Sequence, residues 1–126
     1  MVQPKTKQFT KRSLPPEVKL SVKACQAKKA EDILVLDLRG ISTFTDFFVI
    51  MTGNSSRQNV AIYEGIEQEL KKEKCLPLGV EGKEHAEWIL MDYGSFVVHV
   101  FSKSAREYYV LEKLWGDAPK VAYASS

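Results

Sequence analysis

Apolar residues recur along this chain with two different periods, and the places where the period changes mark its elements. Pro15 and Pro16 suit the opening of a helix, with Glu17 in what would be its first turn. Val18, Val22 and Cys25 then recur at helical spacing, with Leu20, Ala24 and Ala27 beside them. The spacing predicts a first helix that closes near Lys28 and Lys29, whose charges complement the helix dipole. Residues 33–38 form a short apolar run ended by Arg39-Gly40 and read as a strand; Asp37 interrupts it and needs water or a partner. Residues 41–45 read as a polar connection. Residues 47–51 are apolar without interruption, which predicts a central strand buried on both faces, with helices on both sides of the sheet.

Gly53 permits a sharp exit from that strand, and Ser55 with Gln58 three residues later has the form of a capping box. Ile62, Ile66 and Leu70 stack four apart and predict a second helix running to about Lys74, beyond which Pro77 forbids continuation. Residues 78–81 read as a weak edge strand, and 82–87 as a loop containing His85. Residues 88–101 read as a β-hairpin. Both arms are rich in β-branched and aromatic residues, Gly94 can take the positive φ of a tight turn, and Asp92 and Ser95 suit its shoulders. Ser104 and Glu107 have capping-box spacing for a last helix that Gly116 stops, with Tyr108, Leu111 and Trp115 on its inward face. The order α, β, β, α, β, β, β, α predicts one layered α/β or α+β domain over residues 15–117. A flexible basic arm, residues 1–14, precedes it, and a small, polar, frayed tail, residues 118–126, follows.

Composition narrows the class. The 126 residues are 44% hydrophobic and 27% charged, which excludes a disordered or fibrous chain. The net charge of +2 is too mild for the strong basic stripe of a nucleic-acid binder. Cys25 and Cys75 form no Cys-x-x-Cys pair, and no leader is recognisable, so both read as reduced thiols in a cytoplasmic protein. No apolar run approaches the ~20 residues of a membrane helix.

Catalytic signatures are sparse. There is no Walker loop, no G-x-G-x-x-G, no nucleophile elbow and no H-E-x-x-H. His85 and His99 sit on different elements, and a strand histidine such as His99 reads first as hydrogen-bonded structure. Ligation of a metal by Cys25, Cys75, His85 and His99 has no motif behind it, so neither metal nor cofactor is expected. The strand, Gly53-Asn54-Ser55-Ser56 and helix loosely resemble the phosphate-cradling turn of nucleotidyltransferases, whose helix N–H groups can bind anions. Those enzymes also need closely spaced acids for magnesium, whereas Glu64, Glu67 and Glu69 lie on the helix itself. A nucleotidyltransferase-like enzyme or nucleotide-binding protein is therefore the alternative reading.

Several stretches together resemble the ribosomal silencing factor, or Iojap-related, family. They are Lys29-Ala30-Glu31-Asp32, Thr45-Asp46-Phe47-Phe48-Val49 and Thr52-Gly53-Asn54-Ser55-Ser56-Arg57-Gln58, followed by Trp88-Ile89-Leu90-Met91-Asp92-Tyr93-Gly94, Val98-His99-Val100-Phe101 and the run from Arg106-Glu107-Tyr108-Tyr109 to Trp115. Ser95 departs from the family pattern, which has an acid there. The resemblance implies a mixed five-stranded sheet flanked by helices, related to nucleotidyltransferases. It also implies a translation regulator and not a catalyst, one that binds ribosomal protein L-fourteen on the large subunit and blocks joining of the small subunit when nutrients are scarce. A homodimer in isolation is implied too, with no membrane and little or no sequence-specific nucleic-acid binding.

The residues suggest where such a contact lies. Tryptophan and tyrosine bury large area at low entropy cost and dominate interface energetics. Trp88 and Tyr93 flank the hairpin, Asp92 and Gly94 shape its tip, and Arg106 and Tyr109 lie on the next helix. These six are the expected partner-binding residues. Strand alternation puts Trp88, Leu90 and Asp92 on one face and Ile89, Met91 and Tyr93 on the other.

Overall fold

The computed structural model describes residues 14–124. The expected basic arm, but for Leu14, and the last two residues of the expected tail lie outside the described residues. Leu14 itself is 4% exposed and belongs to the core, so the folded domain already includes it.

The described chain runs α1 (Pro16–Ala27), β1 (Glu31–Asp37), β2 (Phe47–Gly53), α2 (Ser56–Lys72), β3 (Gly79–Glu81), β4 (Trp88–Asp92), β5 (Phe96–Ser102), α3 (Lys103–Tyr109), α4 (Leu111–Leu114) and β6 (Lys120–Tyr123). The strands form one mixed sheet in the order β3-β4-β5-β2-β1-β6. β2 pairs in parallel with β5, and the other pairings are antiparallel. The architecture is α+β, as the element order predicts.

The unbroken apolar run puts β2 in the middle of the sheet, because only a strand covered on both faces can bury consecutive side chains. α1 and α2 cover one face. There Val18, Val22, Ile62, Ile66 and Leu70 meet Val35, Val49, Met51, Ile89, Met91 and Val98 in the larger core. Each large aliphatic side chain removed from water there contributes about 1.5–3 kcal/mol. On the other face a smaller cluster joins Leu36, Ile50 and Phe101 to Ala105 of α3, Leu111 of α4 and Ala118. The Ser55 hydroxyl caps α2 by accepting from Gln58 N–H at 3.1 Å. Asp37, the polar interruption of β1, finds its partner in Arg39, whose guanidinium donates to both carboxylate oxygens at 2.9 and 2.7 Å.

Three departures from the expected pattern concern the last quarter of the chain. The expected single helix is broken at Val110, which adopts φ 43°, ψ 57°. α3 begins two residues earlier than expected, because Ser102 and not Ser104 accepts from Ala105 N–H, at 3.1 Å. The break resets the helical phase. Leu111 stays buried and Trp115 packs against the second cluster, but Tyr108, expected in the core, is 80% exposed. The expected tail is the third departure. Lys120–Tyr123 forms a sixth strand, with Val121 opposite Val35 and Tyr123 opposite Ile33. The outer edge of β1 presents a row of backbone N–H and C=O groups with which another strand can pair.

Candidate functional site

The site is built on β4 and its hairpin with β5. Gly94 turns the chain at φ +86°, and its N–H donates to the Asp92 carboxylate at 2.8 Å. Alternation then sorts the side chains as expected. Ile89 and Met91 are fully buried under the helices, while Trp88, Leu90 and Asp92 are half-buried on the other face.

That second face is aromatic. Trp88 stands opposite Phe101 and diagonal to His99 across the antiparallel pair, within reach of both. Its indole N–H donates to His99 Nδ1 at 3.0 Å, and its ring packs against Phe101 at 5.0 Å and Tyr109 at 4.6 Å. Tyr108 then meets Tyr109 edge-on at 5.0 Å. The result is a ladder of rings from the buried His99 through Trp88 and the half-exposed Tyr109 out to Tyr108. His99 is 3% exposed, and burial pushes its imidazole from 6.5 down to about 3, so it is neutral. With Nδ1 accepting from Trp88, the ring proton belongs on Nε2.

Beside the ladder, toward the Asp92 end of the hairpin, α3 and α4 leave the sheet uncovered. A groove of about 260 Å³ lies there, lined by Phe44, Phe48, Leu90, Asp92, His99 and Trp115, with Thr45 at its side. A second hollow, of about 510 Å³, lies by Asp32, Arg106, Glu112 and Tyr123 on the β1–β6 side, away from the ladder.

Of the six expected contact residues, the fold brings Trp88 and Tyr109 into direct contact and leaves Asp92 on their face. Two others have different roles. Tyr93 points to the helical side, is 9% exposed, and stacks on Phe96 at 4.8 Å; burial pushes its phenol upward. It is a core residue and offers no docking surface. Arg106 is committed to the fold, because its guanidinium donates to Asp32 C=O and Thr52 Oγ1 at 2.9 Å each and to Glu112 at 3.2 Å. It ties α3 and α4 to the sheet, and its side chain is 13% exposed. Gly94 acts through the turn alone. Sequence reasoning passed over Phe44, which is 88% exposed at the groove; its one signal is a lone aromatic in an otherwise polar connection.

The glycine-serine turn is occupied by its own residues. Asn54 N–H donates to the Gln58 side chain at 2.5 Å, and Gln58 N–H to Ser55. Both cysteines are free. Cys25 Sγ contacts Val22 C=O at 3.2 Å, and burial pushes its thiol up to about 12, which keeps it protonated and unreactive. Among the described residues no three His, Cys, Asp or Glu side chains converge as a metal site requires, and no helix is long and apolar enough to cross a membrane.

A mixed six-stranded sheet, with α1 and α2 on one face and α3 and α4 only partly covering an aromatic surface on the other, defines an α+β domain. Comparison with known proteins gives the family. The family model described as "Ribosomal silencing factor during starvation" matches residues 11–126. Ribosomal silencing factor RsfS of Bacillus subtilis is 48% identical over 102 residues, covering 81% of this chain and 86% of that protein. The chain therefore belongs to the ribosomal silencing factor family. A mouse protein named mitochondrial assembly of ribosomal large subunit protein 1 is 33% identical over 102 residues, 79% of this chain and 45% of that one. The crystal structure of a Chromobacterium violaceum protein superimposes with a TM-score of 0.78 at 36% identity, covering 79% of this chain and 83% of that one.

Proposed function

We propose that this chain binds the large ribosomal subunit through ribosomal protein L-fourteen and blocks joining of the small subunit, lowering translation when nutrients are scarce. Family membership over residues 11–126 carries the reading. The large subunit in particular is supported by the name of the mouse relative. The action needs no catalysis, only bound volume where the small subunit would sit. It takes place in the cytoplasm and needs no sequence-specific contact to RNA, for which a net charge of +2 gives little drive.

The ladder of Trp88, Tyr109 and Tyr108 is the contact we favour. Exposed tyrosines backed by a fixed tryptophan supply rigid area at low entropy cost. The same face would join two copies when the subunit is absent. Dimer and complex then compete, and apparent affinity falls as the protein is concentrated above its dimer dissociation constant.

Co-sedimentation with purified large subunits tests the reading. Tyr109→Ala should weaken binding by at least ~2 kcal/mol, roughly thirtyfold, while still melting as a cooperatively folded protein at the assay temperature. Wild-type protein that does not co-sediment, or that binds without slowing the association of the two subunits, sinks the proposal. Normal binding by folded Tyr109→Ala and Tyr108→Ala moves the contact off the ladder.

A further inference from the structure

Two residues that line the groove beside the ladder carry polar atoms that the fold leaves without partners. His99 Nε2 and Thr45 Oγ1 are both buried, on residues 3% and 7% exposed, and neither has a hydrogen-bond partner among the described residues. Both residues line the same hollow, whose other walls are chiefly Phe44, Phe48, Leu90 and Trp115. Buried polar atoms are nearly always satisfied, so two orphans around one groove point to an occupant.

The fold dictates the chemistry at each atom. Nδ1 of His99 already accepts from Trp88 Nε1, which leaves Nε2–H as a donor in need of an acceptor. Thr45 Oγ1 can donate or accept. Asp92 lines the same groove with a carboxylate. A second carboxylate brought in beside it would be repelled and lose its hydration, and the neutral His99 offers no compensating charge. The acceptor must therefore be uncharged. Apolar walls require apolar surface on either side of it.

We propose that this groove receives a segment of the large-subunit protein that docks on the ladder, inserting an uncharged acceptor, a main-chain carbonyl or a side-chain carboxamide, between apolar side chains. The acceptor takes the proton of His99 Nε2, and Thr45 Oγ1 completes the polar contact. Phe44, exposed at the mouth, closes over the segment. Trp88 thus has two roles: its ring carries the ladder, and its N–H fixes the tautomer that the groove presents. The proposal rests on the docking reading above and adds to it the chemistry that is recognised.

Two substitutions in the full chain separate this idea from that reading. Thr45→Val keeps shape and removes a hydroxyl that is unpaired in the free protein. Its melting temperature should equal or exceed that of the wild type, while affinity for purified large subunits falls several-fold. His99→Asn keeps an acceptor for Trp88 Nε1 and withdraws the donor from the groove, so binding should fall about tenfold. Thr45→Val remains decisive if His99→Asn does not fold. Should folded variants bind like wild type while Tyr109→Ala loses affinity, the groove proposal is overturned and the ladder stands. Should wild type itself fail to bind, both fall. A small molecule retained by the purified protein in native mass spectrometry would overturn the choice of a protein segment. In the free protein, two-bond nitrogen–proton spectra of His99 should show the proton on Nε2, and a Nδ1–H tautomer would remove the premise.

Discussion

Lowering the pH from 7 to 5 should weaken this fold chiefly through His99. The imidazole is 3% exposed, lies among Phe48, Trp88 and Phe101, and is pushed by burial from 6.5 down to about 3. In the unfolded chain it titrates near 6.5. Between those two values the unfolded chain holds a proton that the folded chain lacks, so stability falls as pH falls. The contribution is complete above about 6.5 and is lost progressively toward 3. Each pH unit in that window is worth about 1.4 kcal/mol, so the step from 6.5 to 5.0 removes roughly 2 kcal/mol. Against a typical domain stability of about 5–15 kcal/mol that is a large fraction, and it moves a urea midpoint by roughly 1 M. The window stops where carboxylates begin to titrate. The chain's other histidine, His85, is exposed in the loop before β4. Urea unfolding of wild type and His99→Asn at pH 7 and pH 5 isolates the effect, because the variant has nothing to titrate at this position. Equal losses in the two proteins between those pH values would refute a histidine buried in its neutral form.

Three further outcomes follow from contacts described above. Arg106→Met deprives Glu112 of its cation and frees Thr52 and the Asp32 carbonyl; it should cost about 2 kcal/mol in urea unfolding and speed amide exchange over residues 103–114. Gly82→Ala would place a Cβ 2.0 Å from the Trp88 carbonyl oxygen at φ +84°, so it should lower stability by more than about 2 kcal/mol, measured as a melting temperature several degrees lower. Ser55→Ala removes the cap of α2 and should cost about 1 kcal/mol by the same measurement, with no change in subunit binding.

What could be read from the sequence was whatever a few neighbouring residues decide. Gly94 with Asp92 sets the hairpin turn, Ser55 caps α2, and the unbroken run from Phe47 to Met51 is explained only by a central strand. The features that escaped depend on distant partners or on a break without a marker. Nothing at Val110 announces a left-handed residue, since glycine and proline are both absent there, and the inward face of the last helix was misplaced for that reason. β6 has four residues and little pattern of its own; the free edge of β1 recruits it. At the site, alternation correctly separated Trp88 from Tyr93, yet it could not say which face the helices would cover, so both stayed candidates. The Trp88–His99 bond depends on the register between β4 and β5, and the groove on where α4 stops short.

The pairing of β6 with β1 has a consequence for how the molecule is made. Ile33 to Leu36 leave the exit tunnel long before Lys120 to Tyr123 are joined to the chain. At ~5–20 residues per second, the apolar edge of β1 waits several seconds for its cover. During that interval it is an open template for a strand from any neighbouring nascent chain. Four late residues therefore act as a closing seam, and a chain released after Pro119 would carry the larger part of its fold together with a permanent tendency to assemble edge to edge.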